Sequence, residues 1–291
     1  MKLLAKFNLI LGLVLGAGLA LAAVLSQNFL KNAAREEVLT QARLMMEAMR
    51  AARDYTTNQV KPLLVTQQEH QRSFLPQTVP AFAATEGFGY LRGSYQDYAY
   101  KEAALNPTNP RDRAVDWEAD IINNFRNHGQ SKELVGERDT PTGRSLYLGR
   151  PIAADPPCLE CHSVPRVAPP AMIRRYGSNN GFGWQPHEII GAQIVSVPME
   201  VPLKMASQAF QSLIIYLVGV FLASLLLLDL ALLFTVVRPL RKLSTMADQI
   251  STGQMDMPEL PAGGKDEIAV LAGSFNRMRR SLERALKMLG S

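Results

Sequence analysis

Two long apolar segments dominate the hydrophobic pattern of this chain. Residues 7–25 carry no charge over 19 positions, and residues 213–237 carry one charge, Asp229, over 25 positions. With a rise of about 1.5 Å per residue, each segment is long enough to cross a hydrocarbon core about 30 Å thick. The pattern therefore predicts two transmembrane helices.

Basic residues flank the two apolar segments on the sides that face away from the intervening chain: Lys2, Lys6, Arg238, Arg241 and Lys242. Such flanks stay on the cytoplasmic side of a membrane. We therefore expect a two-pass protein of the bacterial inner membrane, with both termini cytoplasmic and the residues between the spans in the periplasm.

Each span leaves an alternative open. Ala20-Leu21-Ala22 resembles a signal-peptidase site, but the apolar run continues past it, which favours an uncleaved anchor. Asp229 lies inside the second span, where a charge is costly. Its carboxyl is either protonated or directed to the inner surface, or it contacts a partner helix across a dimer.

Between the spans, the pattern indicates a mixture of helices and antiparallel strands. A long helix is expected over 27–61, ended by Pro62, and a second helix over 114–127. A hairpin is expected over 132–153 around a turn at 139–143, and a final strand lies within 188–202. Residues 63–100 are mixed in pattern and yield no element. This succession predicts an α+β domain with an antiparallel sheet.

The segment after the second span contains two short helices with heptad spacing. The apolar positions of the first are Leu240, Leu243, Ala247 and Ile250, and those of the second are Ile268, Leu271, Phe275, Met278, Leu282, Ala285 and Leu289. Such helices cannot bury their apolar faces alone, and a parallel four-helix coiled coil of two chains would bury them. The alternative, two amphipathic helices on the membrane, fits the basic residues Arg277, Arg279 and Arg280. The sustained period favours the coiled coil.

The two cysteines of the chain form a compact motif, Cys158-Leu159-Glu160-Cys161-His162. Two thiols in this spacing bond covalently to the vinyl groups of a c-type haem, and the following histidine presents its imidazole to the iron. A disulfide would close a tight, strained loop, and zinc would need two further ligands. The motif predicts one covalently attached haem c, with His162 as the proximal iron ligand.

The sixth iron ligand has several candidates. The other histidines are His70, His128 and His187, and the methionines outside the membrane are Met45, Met46, Met49, Met172, Met199 and Met205. Met45 and Met49 share a helical stripe with Val38, Ala42 and Ala52. We expect Met49 as the ligand, then Met45, then Met46. An open or water-filled position is the alternative, and it would suit gas binding.

Charge and the available side chains argue against two classes of function, nucleic-acid binding and catalysis. The net charge of +5 comes from an excess of basic residues at the inner face, so it gives no reason to invoke nucleic acid. We find neither a nucleophile–base pair nor a second metal site, and we therefore do not expect an enzyme.

Two parts of this sequence resemble known protein families. Residues 238–290 resemble a HAMP linker, through Pro239, the two heptad helices, and Asp266-Glu267-Ile268 before Phe275-Asn276-Arg277-Met278. The outer segment resembles periplasmic c-type haem sensor domains of PAS-like fold, through Tyr100–Ala104, Asn106–Arg111, Asp116–Glu118, the cysteine motif, Tyr176-Gly177, Gly181–Trp184 and Gly191–Pro198. The resemblance implies thioether bonds at Cys158 and Cys161 and a proximal ligand at His162.

Together these observations predict a membrane-anchored haem sensor. Its segments are a transmembrane anchor helix (1–26), a periplasmic haem domain with a PAS-like antiparallel sheet (27–209), a second transmembrane helix (210–237) and a cytoplasmic HAMP coiled coil (238–291). We expect a homodimer, joined through HAMP and the long helix, that detects redox state or a small gas ligand and acts on a separate signalling protein. The alternative is a membrane-tethered c-type cytochrome that exchanges electrons with a redox partner.

Overall fold

The computed structural model of the chain describes residues 3–64, 73–254 and 256–289. The chain divides into two compact units. The first contains residues 28–208, and the second contains the chain up to residue 27 together with the chain from residue 209 onward.

The first unit combines helices with a four-stranded sheet. Its helices are the greater part of α1 (Leu3–Tyr55), α2 (Lys61–Leu64), α3 (Pro80–Arg92), α4 (Asp116–Asn127), α5 (Pro156–His162), α6 (Pro170–Tyr176) and the start of α7 (Glu200–Leu232). Its strands are β1 (Ala99–Ala104), β2 (Leu134–Thr140), β3 (Gly143–Ala153) and β4 (Ile189–Pro198). This arrangement confirms the predicted α+β class.

The sheet is antiparallel throughout, with strand order β1-β4-β3-β2. The predicted hairpin is confirmed as β2 and β3, and its turn is shorter than expected because Thr140 already pairs with Gly143. The predicted final strand is confirmed as β4, in the centre of the sheet between β1 and β3. The apolar pattern did not reveal β1, because the buried strand face carries a charged residue, Glu102.

Both faces of the sheet are covered, which makes this unit a three-layer sandwich. On one face, α1 and α3 pack against β3 and β4 in a cluster that includes Val38, Met46, Phe88, Leu146 and Val195. On the other face, α4 buries an apolar side against the sheet with Ile121, Ile122 and Phe125. The predicted buried stripe of the long helix is thus confirmed for Val38 and Ala42, which are fully buried.

The sequence predicted that the long helix ends at Pro62, and this prediction is wrong. A π turn, Thr56–Val60, follows α1, and α2 then carries the chain past the proline to Leu64. Proline in an α-helix clashes with the carbonyl four residues earlier, and the wider π turn relieves this clash. The same device precedes Pro239, where a π turn, Leu233–Val237, joins α7 to α8 (Arg238–Ser251). Pro239 therefore lies inside a continuous helical path rather than at its start.

The second unit holds two helices that are long and apolar enough to cross a membrane, as predicted. Their large apolar side chains are exposed over both apolar segments, among them Leu13, Val14, Ile215 and Leu227. A helix that is apolar all round and not covered by protein is suited to lipid contact.

The segment after the second apolar helix consists of α8 and α9 (Glu267–Leu289), joined by a connector. Leu243 and Met246 of α8 pack with Leu260 of the connector and Ala272 of α9. The side chain of Asn276 binds the backbone of Leu260 twice, accepting from its N–H (3.1 Å) and donating to its C=O (2.8 Å).

The face of α9 that is buried within one chain differs from the predicted heptad face by one position. Ala269, Ala272, Asn276 and Arg279 are buried, whereas Leu271, Met278 and Leu282 of the predicted face are 47%, 55% and 42% exposed. The connector covers the first set because Asn276 and Arg279 bind its backbone. Leu271, Met278 and Leu282 of the heptad face are thus left open, whereas Phe275 packs against the cluster of α8 and the connector.

Candidate cofactor site

The cysteine motif lies on a short helix, α5, whose sequence favours a helix start. Asp155 precedes it, and Pro156 and Pro157 occupy its first turn, where a missing N–H costs nothing. The N–H of Cys158 donates to the carbonyl of Asp155 (2.9 Å). Cys158 and Cys161 are three residues apart on this helix, so their thiols share a face. Neither forms a disulfide, and both are partly exposed, so the thiols are available to bond a cofactor.

The loop that contains Gly181 fixes the imidazole of His162. Its Nδ1 lies 2.7 Å from the carbonyl oxygen of Gly181 and 3.3 Å from the hydroxyl of Thr108. An Nδ1–H that donates to a carbonyl leaves Nε2 unprotonated and able to bind a metal. Burial lowers the pKa of His162, and the hydrogen bond that the imidazole donates to the Gly181 carbonyl only partly offsets this effect. The imidazole is therefore held neutral, as a metal ligand must be.

The same loop stacks an aromatic ring on the imidazole. The ring of Trp184 lies 4.0 Å from that of His162 between centroids, with 12° between their planes. Backbone bonds hold the two segments together, from Gly183 N–H to Ser163 C=O (2.9 Å) and from Trp184 N–H to His162 C=O (3.3 Å). These contacts fix both the position of the imidazole and its rotation.

Gly181 gives a test of this loop. Its φ is +78°, and an added Cβ would lie 2.0 Å from the Thr108 hydroxyl and 2.8 Å from the Thr108 backbone nitrogen. We expect Gly181→Ala to lower the free energy of unfolding by about 2–4 kcal/mol, through backbone strain and this clash. Gly183→Ala is the matched control, because Gly183 has a φ of +82° and nothing within 4 Å of the added atom.

Chemical denaturation of the two variants measures this difference. Gly183→Ala should lose only the strain of a left-handed residue, about 1–2 kcal/mol. Equal losses in the two variants would show that the contact between Gly181 and Thr108 does not constrain the loop.

Two cations of the long helical segment lie near the cysteines. The charge of Arg53 interacts with Cys158, and that of Lys61 interacts with Cys161. Burial raises the pKa of the Cys161 thiol, while Lys61 acts to lower it and Glu160 to raise it. The end of α1 and the beginning of α2 therefore lie close enough to the cysteines for these charges to act on the thiols.

Arg53 also belongs to a buried polar network on the sheet. Its guanidinium binds the carboxylate of Glu102, whose side chain is only 5% exposed. Tyr100 donates to the same carboxylate (2.7 Å), and Gln193 donates to the Tyr100 hydroxyl (3.2 Å). Burial acts to lower the pKa of Arg53, but the charge and hydrogen bond of Glu102 outweigh it and raise the pKa. Burial and Glu102 together raise the pKa of Tyr100, which therefore stays a hydrogen-bond donor.

The three methionines proposed as sixth ligand all lie on the side of α1 that packs on the sheet. Met46 is completely buried in the apolar core, whereas Met45 and Met49 are partly buried at its margin. Met49 lies one helical turn before Arg53, on the same side of the helix.

The other candidates are dispersed. His128 is exposed and contacts the carbonyl of Asn124 at the end of α4 (3.1 Å). His187 is exposed with a φ of +64°, and His70 lies outside the described residues. Met172 and Met199 are buried, and Met205 is 64% exposed. Among the described residues, no group of three or more His, Cys, Asp and Glu side chains could hold a metal ion.

Several residues of the site were not predicted to contact the cysteine motif, although Thr108, Gly181 and Trp184 lie in stretches that carry the family resemblance: Arg53, Lys61, Thr108, Gly181 and Trp184. The sequence contained one usable signal, the pair Gly181 and Gly183 around Phe182, because closely spaced glycines indicate a loop with left-handed backbone. The roles of Arg53 and Thr108 depend on contacts with distant parts of the chain.

Two segments of the chain match families of known proteins. A family model described as Tll0287-like matches residues 31–198, and a model of the HAMP domain matches residues 232–284. One similar solved structure is the "Crystal structure of the cyanobacterial heme-protein Tll0287", at 15% identity and a TM-score of 0.45, covering 56% of this chain and 95% of that one. No curated protein sequence matches.

The first family match takes in more than half of the chain, including the four strands, the cysteine motif and the part of α1 that carries Arg53. The second takes in α8 and most of α9. The chain therefore belongs to the Tll0287-like family, and it carries a HAMP domain after its second apolar helix.

Proposed function

We propose that this protein is a transmembrane haem sensor, in which a covalently bound c-type haem in the first unit controls the HAMP domain. The observation that carries the proposal is the geometry at His162. Its Nδ1–H donates to the Gly181 carbonyl, which leaves Nε2 unprotonated, and two cysteines without a disulfide lie on the same short helix. The HAMP domain gives such a site a route for output. This combination favours signalling over catalysis.

The site residues divide the binding of haem c between them. Cys158 and Cys161 supply the thioether sulfurs, and His162 supplies the proximal nitrogen. Bound haem supplies an iron that changes oxidation state or accepts a small ligand. Gly181, Thr108 and Trp184 hold the imidazole in one tautomer and one rotation, so a change at the iron would be transmitted through a rigid ligand.

We propose Met49 as the sixth ligand, with Met45 and Met46 as alternatives. The position of Met49 supports it, because Arg53 lies one turn further along α1 and near Cys158. Met46 is the weakest of the three, since its side chain fills the core between α1 and the sheet. If a methionine of α1 bound the iron, a change in the coordination of the iron would move the helix that also forms the first apolar span.

This ligand is tested by Met49→Ala. If Met49 binds the iron, its loss should convert a six-coordinate, low-spin haem towards a five-coordinate, high-spin one, read from the absorption and electron paramagnetic resonance spectra of the holoprotein. Met45→Ala is the matched control, since Met45 lies one turn earlier at the same margin. An unchanged spectrum in Met49→Ala would remove Met49 as the ligand.

We propose a homodimer in the bacterial inner membrane, with the haem domain periplasmic and both termini cytoplasmic. The basic residues that flank the spans support this orientation. The exposed heptad residues Leu271, Met278 and Leu282 support a second copy at HAMP. Along α1, Leu44 and Tyr55 are 70% and 64% exposed on the side turned away from the sheet, which suits a second copy there as well.

The proposed signal is the redox state of the iron or a small gas such as NO, CO or O₂. A change in axial coordination would shift α1, and HAMP is the two-state element that this shift would bias. We propose that the output passes to a separate signalling protein.

Spectroscopy of the full-length holoprotein in lipid nanodiscs tests the function. A sensor should bind CO or NO at the iron, or change its axial ligand with redox state, and crosslinking between HAMP helices should change with that state. A gas-inert, six-coordinate haem that exchanges electrons rapidly, with unchanged HAMP crosslinking, would overturn the proposal in favour of a tethered electron carrier.

A further inference from the structure

One polar contact joins the two apolar helices in the second unit. The amide Nδ2 of Asn8, on α1, donates to Oδ2 of Asp229, on α7, at 3.0 Å. Asn8 lies between Phe7 and Leu9, and Asp229 between Leu228 and Leu230. The contact is therefore a side-chain pair within otherwise apolar segments, where a polar group needs a partner.

The second oxygen of each side chain completes the observation. Oδ1 of Asn8 and Oδ1 of Asp229 are both buried and have no hydrogen-bond partner in the part of the chain that the structure describes. An ionised Asp229 would leave two buried acceptors that cannot bond to each other, together with a charge inside the membrane, and both are costly. One proton on Oδ1 of Asp229 would remove the charge and turn that oxygen into a donor.

We infer that Asp229 is a neutral carboxylic acid that forms a cyclic acid–amide pair with Asn8. In this pair Asn8 Nδ2 donates to Asp229 Oδ2, and Asp229 Oδ1 donates to Asn8 Oδ1. All polar atoms of both groups except one amide hydrogen then have partners, without water. Asp229 thus contacts the first span of its own chain rather than a partner's helix or the inner surface.

The pair holds α1 against α7 within the second unit. Because α1 also carries Met49 and Arg53, and α7 leads through Pro239 into HAMP, a movement of α1 would be passed to the HAMP helix of the same chain at this point. This consequence rests on the proposed function. The acid–amide pair itself does not.

Infrared spectroscopy of the full-length protein in lipid nanodiscs tests the pair. A protonated carboxyl group gives a carbonyl band that a carboxylate lacks, and we expect Asp229→Asn to abolish one such band at neutral pH. Asp139→Asn, at an exposed position near the end of β2, is the matched control and should leave that band unchanged. If Asp229→Asn keeps every such band of the unaltered protein, Asp229 is ionised and the inference is overturned.

Two further variants test the partner. The exchange Asn8→Asp with Asp229→Asn keeps one acid and one amide, and should restore the band that Asp229→Asn loses. Asn8→Leu should shift the band or abolish it, because the acid loses both of its hydrogen bonds. A band that Asn8→Leu leaves in place would show that Asp229 is not bound to Asn8. These readouts need no signal from the haem, so failure of the sensor proposal would leave them interpretable.

Discussion

Replacing both cysteines, as Cys158→Ala with Cys161→Ala, is expected to abolish the covalent attachment of haem completely. No other cysteine is present to form a thioether bond. The measurement is haem staining of the protein after denaturing electrophoresis, where haem that is not covalently bound is lost. Each single replacement should leave one thioether and reduce the stain rather than abolish it.

The matched control is Glu160→Ala, because Glu160 lies between the two cysteines on α5 and is exposed. It should stain like the unaltered protein. Haem that survives denaturation in the double cysteine variant would show that the attachment is elsewhere, and would overturn the proposed cofactor site.

Replacing Arg53 with methionine is expected to lower the free energy of unfolding of the haem domain by about 3 kcal/mol. The change removes the cation from a carboxylate whose side chain is 5% exposed, and breaking one partner of a buried ion pair typically costs about 3–5 kcal/mol. We take the lower end because the side chain of Arg53 is 26% exposed. Denaturant unfolding of the holoprotein measures the loss.

Arg50→Met is the control on the same helix. The side chain of Arg50 is 62% exposed, and its pairs with Glu47 and Asp54 are solvated, so this change should cost less than about 0.5 kcal/mol. Combining Arg53→Met with Glu102→Gln should recover part of the loss, because no unpaired charge is then buried. If Arg53→Met costs no more than Arg50→Met, the network does not hold α1 to the sheet.

The position of Arg53 explains why this pair matters to the proposed sensor. It lies near Cys158 and binds β1 through Glu102, so one side chain links α1, the sheet and the cysteine motif. A change of charge at a bound haem would act on a fixed ion pair in a buried environment, where electrostatic interactions are weakly screened.

Much of the architecture was predictable from the sequence because it follows from local patterns. The two spans, the hairpin, the final strand and both HAMP helices each occupy a continuous stretch whose apolar period identifies it. The cysteine motif is equally local, since its five residues are consecutive. Among the local elements, the short helices α3, α5 and α6 and the strand β1 were not predicted, and in β1 the buried Glu102 interrupts the alternation that marks a strand.

Only the tertiary structure decided which residues complete the site and which join the helices. Gly181 binds His162 from 19 residues away, and Thr108 from 54 residues away. Arg53 and Glu102 are 49 residues apart, and Asn8 and Asp229 are 221 residues apart. Each of these residues is ordinary in its own segment, and each acquires its role only when folding brings a distant partner within hydrogen-bond distance. Local sequence determines where a chain forms helices and strands, but these pairings depend on how those elements pack.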